Sequence, residues 1–265
     1  MAQLRVGLLG DGHINGVVRQ AIEAERPYRL VGTFGRSHDL PGASDVDVIV
    51  EAATQRAVHE RVPGILASGV DVILLSVGAL ADAELRARLT ASAGDVTVHR
   101  AGRVIACSGA IGGLDQVRAL RASGPLARVT LESRKLPSTL IQPWMDAELQ
   151  DALRAGDTEV VLADGLAADV ARQFPASANI AASLALAADA WDFATARIVA
   201  DPAAILTRHE IHAVGELGAV NVVVTNAPSP ERPRSSAIVA WAALRSLDDY
   251  ARAGGFAAPD GIPFG

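Results

Sequence analysis

The sequence predicts an α/β chain of two domains, an N-terminal unit wound on a parallel sheet and a second α/β domain built on an open mixed sheet. Three observations predict it. An apolar strand, Leu4–Leu9, runs directly into a glycine turn, Gly10-Asp11-Gly12, and then a helix. Short apolar strands alternate with helical stretches as far as residue 107, the pattern of parallel crossover units. Beyond a glycine cluster at 108–115 the strands lengthen and alternate apolar with polar residues, as in a sheet with one exposed face.

The first turn has the form of a phosphate cradle. Glycine at positions 10 and 12 lets the chain reverse tightly at a strand end and lets backbone approach a pyrophosphate at a helix start. Asn15 stands where the third glycine of a G-x-G-x-x-G fingerprint would be. A helix near Val17–Ala24 leads to a second strand, Leu30–Phe34. At that strand's end a dinucleotide-binding (Rossmann) domain presents an acid to the ribose hydroxyls, but here stand Gly35, Arg36 and Ser37. Glycine leaves room, and Arg36 with Ser37 can bind a 2′-phosphate, so NADP is the expected cofactor and NAD the alternative.

The strand Asp47–Glu51, the helix Gln55–Ser68, the strand Asp71–Leu75, a helix from near Asp82 and the strand Val104–Cys107 complete the unit. Ligands in such sheets sit beyond the carboxyl ends of the strands. That rule brings Gly10, Gly12, His13, Ile14, Ala53, Ser76 and Gly78 to one cofactor site, joined by Ala110 from the glycine cluster.

The second domain reads as strands over Arg128–Arg134, Ala196–Val199, Ile205–Val214 and Val220–Thr225. Between them the alanine-rich Ala167–Ala188, interrupted by Phe174-Pro175, reads as two packed helices. A last helical stretch, Ser235–Ala253, follows three prolines. We expect domain boundaries at 1–110 and 111–234, with the C-terminal segment 235–265 packing back on the first domain.

Composition narrows the function. A chain of 265 residues, half of them apolar, can bury a substantial core. A net charge of −6 argues against a general nucleic-acid binder. No apolar run reaches membrane-spanning length and no terminal segment resembles a signal peptide, so a cytoplasmic protein with no membrane partner is expected. Cys107 is the only cysteine, which excludes an intramolecular disulfide and reads as an inert buried thiol. His209 and His212 lack a convincing third ligand, so no metal site is expected. The lysine count is sharper: Lys135 is the sole lysine among 24 lysines and arginines. A compact ammonium whose pKa can fall on burial does what a permanently charged, planar guanidinium cannot.

Several motifs, in this order, are specific together. They are Ser76-Val77-Gly78-Ala79-Leu80-Ala81-Asp82, Ser108-Gly109-Ala110-Ile111-Gly112-Gly113-Leu114-Asp115, Phe174-Pro175 with Asn179-Ile180-Ala181-Ala182, Ala200-Asp201-Pro202 and His209-Glu210-Ile211. The chain resembles the L-aspartate dehydrogenase family over nearly its whole length. The resemblance implies a Rossmann domain, a catalytic α/β domain that also dimerises, and reversible NAD(P)-dependent deamination of L-aspartate through iminoaspartate to oxaloacetate and ammonia. It implies His209 as the catalytic histidine, a group that titrates near neutrality and manages protons as water adds and ammonia leaves. Lys135 falls in the family's Lys-Pro-Pro motif, and with Arg134 beside it is expected to anchor a substrate carboxylate. Ser177 and Asn179 are expected at the substrate, and His212, on the other face of the strand by period two, is the weaker histidine.

The chain also departs from the family pattern. Leu136 replaces the first proline after the lysine, Ser177 and Thr207 replace asparagines, and Ala188 and Ala190 replace glycines. These leave two further readings open: an NADPH-dependent imine reductase or amine dehydrogenase on a different substrate, and a nucleotide-binding regulatory protein without turnover.

Overall fold

The computed structural model describes residues 2–35, 42–92 and 101–259. It divides into two compact units, Met1–Gly109 with Val239–Gly265, and Ala110–Ile238.

The first unit runs β1 (Arg5–Leu9), α1 (His13–Glu25), β2 (Arg29–Phe34), β3 (Val48–Glu51), α2 (Gln55–Ala67), β4 (Asp71–Leu74), α3 (Ala83–Ser92) and β5 (Val104–Ala106). Its five strands are ordered β2-β1-β3-β4-β5 and every pairing is parallel. Each residue of β3 and of β4 is buried, which is why these strands read as unbroken apolar runs rather than alternating ones. Thr54 starts α2 as its N-cap, its side chain accepting from the Ala57 N–H at 3.1 Å. The core joins Leu4, Val6, Leu8, Val18, Val48, Val50 and Ile73 to Ala243, Leu244 and Leu247 of the last helix. Tyr28 Oη donates to Asp248 Oδ1 at 2.7 Å, and Tyr250 Oη donates to Asp71 Oδ2 at 3.0 Å.

The second unit continues with α4 (Leu114–Ala122), β6 (Leu126–Lys135), α5 (Ala147–Ala155), β7 (Val160–Leu166), α6 (Ala167–Gln173), α7 (Asn179–Ala188), β8 (Thr195–Ala200), β9 (Thr207–Gly215) and β10 (Gly218–Asn226). The last helix, α8, spans Ile238–Ala253. The second sheet is ordered β10-β9-β6-β8-β7. Only β6 and β8 pair in parallel; the other neighbours are antiparallel, so the sheet is mixed. Along β6, Val129, Leu131, Ser133 and Lys135 turn to the buried face, and Arg128, Thr130, Glu132 and Arg134 to the other. Helices α4 and α7 cover the buried face.

Four elements differ from the sequence reading. The edge strand β7 and the helix α5 lie in a stretch where no element was expected. The strand read from Ile205 begins at Thr207, and Ile205 is 88% exposed. The last helix begins at Ile238 rather than Ser235, because Ser236 is spent on a bridge to Pro228 and the Ser229 N–H donates to the Ser235 carbonyl. Among the described residues, no helix is long and apolar enough to cross a membrane.

Candidate active site

The glycine turn of the first unit is built as a cradle. Gly10 has φ +99°, and a Cβ there would meet the Ala52 carbonyl oxygen and Ala53 Cα at 3.0 Å, so both conformation and space demand glycine. Gly12 is the N-cap of α1 and has no side chain to satisfy the helix N–H groups. A Cβ on Gly12 would meet nothing within 4 Å. Protein packing therefore does not require that glycine, and the open space suits a phosphate approaching the backbone. The buried Asn15 explains the missing third glycine: its Nδ2 donates to the carbonyls of Leu9 and Gly10 at 2.9 and 2.8 Å, pinning the turn with a side chain.

The neighbouring loops are tied by a residue the sequence reading overlooked. Glu51, fully buried at the end of β3, accepts from the Ala53 N–H at 2.9 Å, the Ser76 N–H at 2.9 Å and the Ser76 hydroxyl at 2.8 Å. Burial pushes its pKa up, against hydrogen bonds that favour the charged form. An acid ending an apolar strand was the available signal. Gly10, Gly12, His13, Ile14, Ala53, Ser76 and Gly78 all follow the carboxyl ends of parallel strands in this unit. Arg36 and Ser37 lie outside the described residues. Ala110 belongs to the second unit, where its carbonyl accepts from Asn226 Nδ2 at 2.8 Å.

In the second unit the β6–β9 register places Ser133 opposite His209. Ser133 Oγ lies 2.9 Å from His209 Nδ1. Two residues further along the same face, Lys135 is buried, and its Nζ donates to the Ser177 carbonyl at 3.3 Å. Among the described residues no carboxylate pairs with that ammonium, and burial lowers its pKa to about 8. His209 is 1% exposed. Burial, and then the positive charge of Lys135, lower its pKa to about 3, so in the free site it is a neutral imidazole rather than a group titrating near neutrality. Ser177 is buried with no hydrogen-bond partner for its Oγ, and it lies just ahead of α7, whose first turn has no side-chain cap. Asn179 is the first residue of α7.

Arg134 does not join Lys135. It points to the opposite face and pairs with Glu132 at 2.7 Å and Glu159 at 2.5 Å, as strand alternation requires of a neighbour. His212 also lies on that face, bonded to Arg128 and Asn221. Ser133 was missed although it stands two residues before Lys135; only the register against β9 reveals its partner.

A family model described as "Aspartate dehydrogenase, C-terminal" matches residues 115–250, and one described as "Homoserine dehydrogenase, NAD binding domain" matches residues 6–100. The chain is 34% identical to an L-aspartate dehydrogenase of Methanosarcina mazei, over 92% of this chain and 96% of the relative. It is 38% identical to that of Methanosarcina barkeri over the same shares. It is 36% identical to L-aspartate dehydrogenase 2 of Bordetella pertussis, over 93% of this chain and 91% of the relative. The crystal structure of an aspartate dehydrogenase from Thermotoga maritima superposes with a TM-score of 0.72 at 24% identity, covering all of both chains, and so shares the fold.

Proposed function

The chain belongs to the aspartate dehydrogenase family, and from that premise we propose that it catalyses the reversible, nicotinamide-dependent deamination of L-aspartate to oxaloacetate and ammonia. The observation that carries the reading is the buried Lys135 ammonium, which has no carboxylate partner among the described residues and stands beside a buried histidine. An unpaired buried cation is costly, and a substrate carboxylate removes that cost. Lys135, the Ser177 hydroxyl and the uncapped start of α7 form one anion-binding group, with Asn179 at its edge. His209 serves the reacting C–N centre, where water adds and ammonia leaves. A carboxylate on Lys135 would also cancel the charge that helps to depress the His209 pKa.

A nicotinamide cofactor, when bound, accepts the hydride from the substrate α-carbon. Gly10, Gly12, His13 and Ile14 would hold its pyrophosphate, with Ala53, Ser76 and Gly78 on the neighbouring loops. NADP is the proposed preference, because Gly35 replaces the ribose-binding acid and Arg36 and Ser37 supply a cation and a hydroxyl. Arg36→Ala is expected to weaken NADPH binding about 10- to 100-fold while changing NADH little. Equal losses in a fluorescence titration with each cofactor would remove that preference. A cytoplasmic homodimer accompanies this reading on the family's precedent.

A second reading rests on a specific observation. Lys135 is the one buried cation among the described residues, enough for one carboxylate, which favours a less acidic substrate for an imine reductase or amine dehydrogenase. Initial rates with aspartate, other amino acids, and oxaloacetate plus ammonia, each with both cofactors, decide between the two. Selective turnover of aspartate and oxaloacetate is expected. Faster turnover of monocarboxylic substrates would install the second reading, and cofactor binding with no turnover would leave a regulatory protein.

A further inference from the structure

We propose that Ser133 is a positioning residue that donates its hydroxyl hydrogen to His209 Nδ1, fixing the imidazole as the Nε2–H tautomer and making it a neutral hydrogen-bond donor to the reacting centre. The inference rests on the functional reading above and assigns His209 its chemical form. Ser133 and His209 face each other across the antiparallel β6–β9 pair, 2.9 Å apart from Oγ to Nδ1. Both are buried, Ser133 completely and His209 to 1% exposure.

The direction of the bond follows from hydrogen accounting. Among the described residues, the Ser133 side chain has no other hydrogen-bond partner, and neither has the imidazole. If Nδ1–H donated to Oγ, the serine's own hydrogen would be buried without an acceptor, a state that native interiors avoid. If the serine donates, its hydrogen is satisfied and the imidazole hydrogen moves to Nε2. Nε2–H then remains as the donor available to a ligand.

A neutral imidazole N–H is a suitable group to polarise a carbonyl or imine, because it stabilises developing negative charge without releasing a full proton. The low pKa of His209 agrees with this, since the ring stays neutral across the working range. In the reductive direction the acceptor is the carbonyl oxygen of the keto acid or the imine nitrogen. In the oxidative direction it is the carbinolamine oxygen, which becomes the carbonyl oxygen as ammonia leaves.

Ring-nitrogen NMR of the histidine-labelled full chain reads the tautomer directly, with the His209 signals assigned from their loss in His209→Asn. The expected result is a single species carrying hydrogen on Nε2, and a parent spectrum showing Nδ1–H overturns the proposal whatever Ser133→Ala does. Ser133→Ala is expected to mix the tautomers and lower kcat for oxaloacetate with ammonia roughly 10- to 100-fold, by analogy with loss of the outer group that orients a metal-bound histidine. KM should change little, and Ser133→Thr should recover part of the rate. A tautomer unchanged in Ser133→Ala, or a lost tautomer with full kcat, refutes the role. Absence of oxaloacetate turnover by the parent protein is the separate failure of the functional reading, and the parent's tautomer still tests Ser133.

Discussion

His209→Ala is expected to turn over aspartate about 10²- to 10⁴-fold more slowly than the parent protein, the range for loss of a positioned group at a reacting centre. Cofactor affinity should stay within about twofold, because the residues that would hold the pyrophosphate are those of the glycine turn and His209 is not among them. Parallel steady-state rates and cofactor titrations check both halves, and unchanged turnover would remove His209 from the mechanism. The same substitution has a signature in stability. His209 in the folded chain has its pKa lowered from 6.5 to about 3, so between those values the unfolded chain binds the extra proton. Stability therefore falls as pH drops from about 6.5 toward 3, and the alanine variant should lose that part of its acid sensitivity.

Lys135→Met is expected to raise the KM for aspartate by about 30- to 5000-fold, since truncating one partner of a buried charge pair costs roughly 2–5 kcal/mol. The folded protein should become more stable at the same time. Burial lowers the Lys135 pKa from 10.5 to about 8, which at neutral pH corresponds to a destabilisation on the order of 3 kcal/mol from holding the ammonium in the interior. The sign is opposite to that of an ion-paired lysine. Because the unfolded chain holds its proton up to a higher pH, parent stability should rise between about pH 8 and 10.5, and the methionine variant should lack that rise. Denaturant midpoints across this range, set beside KM, read both effects. A methionine variant no more stable than the parent would mean that Lys135 has a partner in solution.

Much of this arrangement was legible in the residues. The glycine turn and the alternation of strand and helix predict the parallel unit, and the singular Lys135 marks a cation that lies buried in the second sheet. Asn15 was visible only as a departure, because nothing in a sequence shows a side-chain amide reaching back to the Leu9 and Gly10 carbonyls. Helix α5 could have been read, since Asp146 caps its start and Gly156 ends it in the left-handed conformation. Strand β7 was harder: an edge strand carrying Asp164 and Gly165 has a weak period-two pattern. Arg134 adjoins Lys135 in sequence, but strand alternation sends neighbouring side chains to opposite faces. Ser133 needed register, which depends on partners in separate parts of the chain and leaves no local signal.

The Glu51 tie gives the nucleotide-binding end of the first unit a mechanical property. One carboxyl group staples the turns after β3 and β4 to each other, so pieces of chain separated by a whole crossover respond as a single body. Such a receptacle is pre-organised, and an incoming ligand spends less of its interaction energy on restricting loops that would otherwise wander.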